Sequence, residues 1–568
     1  MVRWQPEPAR SEAAFSFRAR DPAGAQEMVF ASGLLLIPDG ELLRRFDVSK
    51  PRVSPLAEWQ APEPIFGRQV RLRTLAWGPD GFLYFGLART DGSGAGIGRV
   101  TAAGQQCELF STGVGGENGL TLDRHGNLLA AGKSGVFHVP AGVRFFEPRW
   151  NLEGYELARC PALLPAGEAE SLVYYDGDAL PEENRGTLLA VHPARETLNQ
   201  YRLSEQGASL RAEFWREIGR LQAPAMVRSM QVGPDGAVWL RVEESGRGSL
   251  LRLGPGLPRR PAVNLERMST LELAEQLAHT NSWQRRTASR LLASRTDLPE
   301  ARGLHPTTRL HVLLRKAPDP QTRLEALWAL HGMRLLEDDH LEETAVDPDP
   351  WVRAWSARLV GERRWPTRVA FKALEKLADS TNALVRSAVA VAARQFVSGS
   401  LTQESPPVLP LREVFTGGVL SGLWFASLKE NDAVISQQFW NAVKPISGFD
   451  PVHPLGFFKG KQNPPTPFQV FVLRNLTAQL AETSDPAQFA AGVAAVGALD
   501  PQSGGIARAA LLGLLDGTAR LQVRPRPQER RVIEEFRAAQ DPAVRKAAES
   551  LLKRWTDLKS GPLPGSER

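Results

Sequence analysis

The chain has 568 residues, too many for one ordinary hydrophobic core, so two or more domains are expected. Its 42% hydrophobic and 23% charged residues are the balance of a globular protein and exclude disorder as the default. With 69 basic against 63 acidic residues dispersed along the chain, the net charge of +6 argues against nucleic acid as a partner.

Cys107 and Cys160 allow one disulfide at most and exclude a cysteine-rich metal site or a Cys-x-x-Cys-His haem attachment. The opening residues MVRWQPEPARSEAAF lack the apolar core of a signal peptide, and no run approaches the roughly eighteen apolar residues that span a bilayer. A soluble chain with no export signal and no membrane span is therefore expected.

From residue 27 to 255 short apolar strands alternate with Asp-Gly or Gly-rich turns, as in GLLLIPDGELLRRF (33–46), LAWGPDGFLYFGLA (75–88), GLTLDRHGNLLAAG (119–132) and MQVGPDGAVWLRVE (230–243). Such turns supply the positive φ a hairpin needs. Their spacing of roughly 35 to 50 residues matches one four-stranded blade per repeat, which predicts a β-propeller of five or six blades, six being the expected number with room for an incomplete one. Gly92 to Gly98 has no helix after it and not the spacing of a phosphate loop, so it reads as a flexible turn.

After a proline-rich linker (256–264) the period becomes helical, and NSWQRRTASRLLA (281–293), DPQTRLEALWALHG (319–332), DPDPWVRAWSARLVGE (347–362), STNALVRSAVAVAARQF (380–396) and DPAVRKAAESLLKRW (541–555) share a template: Asp or Asn, then Arg, then an apolar stripe. The acid or amide caps a helix and the stripe faces the next pair. Arg323, Arg353 and Arg386 recur at separations of 30 and 33 residues, the length of a HEAT-like unit. The predicted organisation is a propeller at 27–255, HEAT-like repeats at 265–396, an irregular insertion at 397–470 with one or two helices around 422–443, further HEAT-like helices at 471–556 and a disordered tail at 557–568. Asp347 and Asp349 read as caps rather than metal ligands, and Trp328, Trp351 and Trp355 as core rather than ligand platforms. The basic stretch 520–537 is interrupted by Glu529, Glu534 and Glu535 and reads as a solvated helix face.

The segments LVYYDGDALPEENRGTLLAV (172–191), VGPDG (232–236) with GRGSLLRL (246–253), and LAEQLAHTNSWQRRTA (273–288) resemble, in that order, the PVC-type haem-binding or membrane-bound dehydrogenase family, across most of residues 70–396. The propeller of that family is similar to soluble aldose dehydrogenases, which hold pyrroloquinoline quinone (PQQ) on the axis, use an early-blade histidine as general base and grip the quinone carboxylates with arginines. The resemblance therefore implies PQQ and calcium if the family's activity is retained. It also implies export, and a periplasmic location if the start lies upstream.

This chain departs from that pattern at most of the functional positions. No histidine precedes His125, and His138 and His192 sit in strand patterns; Gly115 and Gly116 stand where the family presents Arg and Asn; Met226-Val227-Arg228 keeps only Arg228 as a quinone contact; and residues 397–568 contain no cysteine for a cytochrome c domain. The expectation is a non-catalytic binding or scaffold protein, without cofactor, that takes a protein or glycan partner. The alternative is a PQQ-dependent sugar or alcohol dehydrogenase, and a third possibility, a calcium-dependent lactonase-like propeller, requires Glu117, Asn118 and Asp235 to converge on the axis.

Overall fold

The computed structural model describes residues 2–4, 29–31, 34–39, 41–47, 55–62, 66, 69–90, 94–101, 104–145, 160–220, 225–244, 247–255, 264–295, 304–363, 367–402, 418–458 and 464–558. The linker 256–263 and most of the tail lie outside these.

Among the described residues, five four-stranded antiparallel sheets form the propeller. Blade 1 is Val29–Ala31, Leu34–Asp39, Leu42–Asp47 and Pro55–Gln60; blade 2 is Val70–Trp77, Phe82–Arg89, Ala95–Thr101 and Cys107–Thr112; blade 3 is Gly119–Leu122, Leu128–Gly132, Gly135–His138 and Ala162–Leu164. Blade 4 is Ser171–Tyr175, Thr187–His192, Thr197–Gln206 and Ser209–Arg220. Blade 5 is Ala225–Val232, Val238–Glu244 and Arg247–Leu253, completed by Val2–Trp4, whose Val2 lies opposite Arg252. The first strands of blades 2 to 5 are successive neighbours, as the inner strands of a propeller are.

Against the expected six blades, the described residues form five. Two features stretched the count: blade 3 makes a long excursion between its third and fourth strands, and blade 5 takes its last strand from the other end of the propeller sequence. The glycine-rich segment is also not a turn throughout, because residues 95–101 form the third strand of blade 2. A Cβ at Gly98 would strike Phe85 and Phe66, so the glycine there serves packing. Apolar clusters join the blades, one uniting Leu36 and Leu43 with Leu72 and Phe85, another uniting Tyr175 and Leu189 with Val227 and Leu240.

By packing, the chain divides into residues 1–147 with 161–359, and residues 148–160 with 360–568. The first unit adds to the propeller the helices α1 (Thr270–Gln276), α2 (Ser282–Ser294), α3 (Leu304–Lys316), α4 (Pro320–Gly332), α5 (Asp338–Thr344) and the greater part of α6 (Pro350–Gly361). The second holds α7 (Arg368–Ala378), α8 (Ala383–Ser398), α9 (Val419–Ser427), α10 (Ala433–Phe449), α11 (Val452–Leu455), α12 (Pro467–Leu480), α13 (Pro486–Gly497), α14 (Gly505–Gly517), α15 (Pro527–Glu534) and α16 (Pro542–Asp557). There α8, α10, α12, α14 and α16 stack in sequence as the inner layer of an α-solenoid. The region 397–470, expected to be irregular with one or two helices, thus supplies α9, α10, α11 and the first turn of α12.

The recurring arginine has a single structural explanation. Arg285, Arg323, Arg353 and Arg545 each donate through Nη1 to the carbonyls five and six residues earlier, at 2.6–3.0 Å for all but one of these bonds, and Arg386 to the carbonyl six residues earlier. Each clamps the turn that enters its own helix, satisfying carbonyls that the preceding helix leaves unpaired. Arg323 also makes a two-pronged pair with Asp347 at 2.9 Å on both arms, both side chains being 10% exposed. Asp349 caps α6 by accepting from Trp351 N and Val352 N. Neither aspartate is arranged as a metal ligand.

Arg323→Ala removes both clamp and ion pair and strands a buried carboxylate, which costs about 3–5 kcal/mol. Arg353→Ala removes charged hydrogen bonds to carbonyls alone, about 1.5–3 kcal/mol. Urea denaturation should therefore rank Arg323→Ala as the more damaging; equal losses would show that the Asp347 pair contributes nothing.

Candidate functional site

The turns after the first strands lie at one end of the propeller, and in blades 2, 3 and 5 each is locked by an aspartate. In blade 2, Asp80 accepts from Phe82 N at 3.3 Å and Tyr84 OH at 2.5 Å and faces Arg99 at 3.4 Å. In blade 5, Asp235 accepts from Ala237 N (3.2 Å), Trp239 Nε1 (3.1 Å) and Arg252 Nε (2.7 Å). Burial pushes the Asp235 carboxyl up, but these donors outweigh it and hold it below its ordinary value. In blade 3, Asp123 accepts from the backbone of His125 and Asn127. Asp235 is thus one of a set of turn locks.

Helices seat on these turns. Asn281 Nδ2 donates to Gly233 O and Pro234 O at 3.2 Å, Arg286 to Leu122 O and Asp123 O, and Ser282 N to Asp176 O. Trp355 Nε1 donates to His125 O at 2.6 Å, and the His125 ring stacks on Trp351 with centroids 4.6 Å apart. Gly126, at φ +75°, is required twice over: it makes the turn, and a Cβ there would lie 2.7 Å from Trp355 and 2.9 Å from Pro79. Trp328, Trp351 and Trp355 are buried as expected, but against this turn as well as within the helices. Asp176 of blade 4 receives Arg124 at 2.7 Å and Arg285, whose Nε reaches Glu325 of α4 at 2.9 Å. Burial pushes the Asp176 carboxyl up, yet the two arginines bring it below its usual value, so it stays ionised.

Glu117 and Asn118 precede the first strand of blade 3 and so lie at the end opposite Asp235, which follows the corresponding strand of blade 5. The three do not converge. Among the described residues, the Glu117 and Asn118 side chains make no hydrogen bond or ion pair; the Glu117 carboxylate rests over Gly132. Arg228 shares their end, paired through Nε with Glu243 at 2.9 Å. Glu170, which occupies in blade 4 the slot of Asn118 in blade 3, is pushed up by burial and drawn down by Arg228. Sequence reading missed Glu170 and Glu243, though Glu170's place directly before SLVYY was a usable sign. Exposed Met226 adds an apolar contact at this end.

The propeller histidines are structurally engaged. His138 is buried, faces Ser209 Oγ through Nδ1 at 3.2 Å, and burial lowers its pKa to about 3. His192 Nδ1 accepts from Arg195 N and its Nε2 faces Glu168 at 3.5 Å. Burial likewise lowers His125. Gly115 cannot carry the side chain that the dehydrogenase resemblance asks for, since its Cβ would stand 2.6 Å from Leu87 O. Among the described residues no group of three or more His, Cys, Asp or Glu side chains could hold a metal ion. Both cysteines are free thiols. In the basic stretch Arg520 pairs with Glu482, Arg526 with Glu529, and Arg530 donates to Trp555 O, so much of its charge is engaged within the fold. No helix among the described residues is long and apolar enough to cross a membrane.

Neither protein-family models nor curated proteins match the chain. Among solved structures, it is similar to an oxidoreductase (glucose dehydrogenase) of Thermus thermophilus, at 17% identity over 42% of this chain and 86% of that one, TM-score 0.30. A glucose dehydrogenase matches at 18% identity over 40% and 96%, TM-score 0.25, and a designed armadillo repeat protein at 12% over 50% and 99%, TM-score 0.19. Likeness at this level carries no functional argument, and the fold rests on the sheet and helix topology above.

Asp176→Asn should lower stability by about 3–5 kcal/mol at pH 7, because Arg285 and Arg124 lose a buried anion. A carboxylate depressed in the folded state stabilises above its unfolded pKa of about 3.9 and loses that contribution as pH falls through its folded value. The gap between wild type and Asp176→Asn in thermal melting should therefore narrow below about pH 4. A gap that stays constant down to about pH 2 would refute the charge-based account.

Proposed function

We propose that the protein is a non-catalytic binding or scaffold protein whose propeller takes a glycan or a protein segment at the end away from the seated helices. The observation that carries this reading is the pair Glu117 and Asn118: polar side chains with no partner of their own among the described residues, at the end of the propeller opposite the turns on which α2 and α6 seat, an end shared by Glu170 and the Arg228–Glu243 pair. Unpaired carboxylate and amide groups suit the hydroxyls of a sugar or the cations of a basic segment. The solenoid adds a second surface of the kind repeat proteins use for partners.

PQQ does not fit this end. A quinone bearing several carboxylates needs cationic partners, whereas Arg228, the one quinone contact of the family pattern that this chain keeps, is already paired with Glu243 and also acts on Glu170. The positions that would supply a second arginine and a free base are Gly115, packed against Leu87 O, and His138 and His192, each with its Nδ1 engaged within the fold. The alternative, a PQQ-dependent sugar or alcohol dehydrogenase, is answered by the same experiments.

Calorimetry against neutral, amino-substituted and anionic oligosaccharides and a polylysine peptide should show binding of the neutral or cationic probes and rejection of the anionic ones. Glu117→Ala with Asn118→Ala should weaken that binding at least about tenfold, the loss of one to two hydrogen bonds, while leaving the melting temperature unchanged because neither side chain supports the fold. Heat from PQQ with calcium, followed by dye reduction with aldoses, would overturn the proposal.

A further inference from the structure

His311 of α3 and His340 of α5 lie with ring centroids 4.5 Å apart, at an interplanar angle of 43°. His340 is 3% exposed and occupies the third position of α5, where its Nδ1 accepts a hydrogen bond from Glu337 N at 3.0 Å. A backbone N–H can only donate, so this nitrogen must keep its lone pair and the ring must be neutral. His311 Nε2 is buried without a hydrogen-bond partner. The same two helices are joined by Arg315 Nε to Glu343 at 2.8 Å, and Ser356 of α6 donates to Leu341 O.

We propose that the His311–His340 pair is an acid-sensitive latch that holds α5 against α3 and releases it on mild acidification. Protonating His340 at Nδ1 removes the acceptor that caps α5 and places a cation beside His311 and Arg315. Burial, then His311 and Arg315, oppose that proton, while Glu337 and Glu343 favour it; the net effect lowers the His340 pKa below its ordinary value. A histidine lowered in the folded state takes up its proton on opening, so opening becomes easier as pH falls below about 6.5. The helix is short, seven residues, and this bond is one of the two reciprocal bonds between Glu337 and His340 that cap its start. The Nδ1 acceptor role also argues against a metal bridge, which would need Nδ1 to carry the proton while Nε2 ligates.

Hydrogen exchange of the full chain, read by mass spectrometry on peptides covering 337–345 and corrected for intrinsic rates, tests this between about pH 7.5 and 5.5. The opening constant of these amides should rise by up to about tenfold per pH unit below about pH 6.5. It should stay nearly flat in His340→Gln, since glutamine at this position caps without titrating. Equal protection at both pH values in the wild type, or the same pH response in His340→Gln, would overturn the proposal. Should His340→Gln fail to fold, the wild-type exchange together with His311→Gln, expected to show a weaker response, decides the matter.

Discussion

Arg285 is the contact on which the first unit depends. Its guanidinium joins Asp176, at the end of a propeller strand, to Glu325 in α4, while its Nη1 clamps the turn entering its own helix. All three side chains are 5% exposed or less, where an isolated charge is untenable, so each is held by the others. Arg124, partly exposed, adds the second cation on Asp176. Because one planar group serves blade, helix and neighbouring helix at once, the sheet-based and helix-based parts of this unit share a core instead of being strung on a linker.

The same economy recurs on a smaller scale. Aspartates lock the turns of blades 2, 3 and 5 with acceptors aimed at their own backbone, and arginines lock the helix starts with donors aimed at theirs. Both devices satisfy backbone groups that a regular element leaves bare at its ends. The locked turns also present carbonyls to α2 and α6, which seat on that end of the propeller.

At the opposite end of the propeller Arg228 is paired with Glu243 and draws down the carboxyl of Glu170, which burial pushes up. The glycine at 115 is part of the same picture, since the Leu87 carbonyl fills the space where an arginine side chain would start.

Several features were determined by the sequence alone. Asp-Gly turns between short apolar runs specify hairpins because positive φ and strand twist are local requirements, and the Asp-then-Arg helix template specifies caps and a stripe for the same reason. The roles of Asp349 and of the three tryptophans as core were legible on those grounds. The number of blades was not, because Val2–Trp4 finds its partner at the far end of the propeller sequence, in Arg247–Leu253, a pairing on which local sequence is silent. Nor was the separation of Asp235 from Glu117 and Asn118: which end of a strand a residue occupies depends on counting strands correctly around the ring. The seat of Trp351 on His125, the neutral ring of His340 and the matching of Arg228 by Glu243 likewise belong to tertiary structure, since each is a contact between segments whose own sequences are satisfied either way.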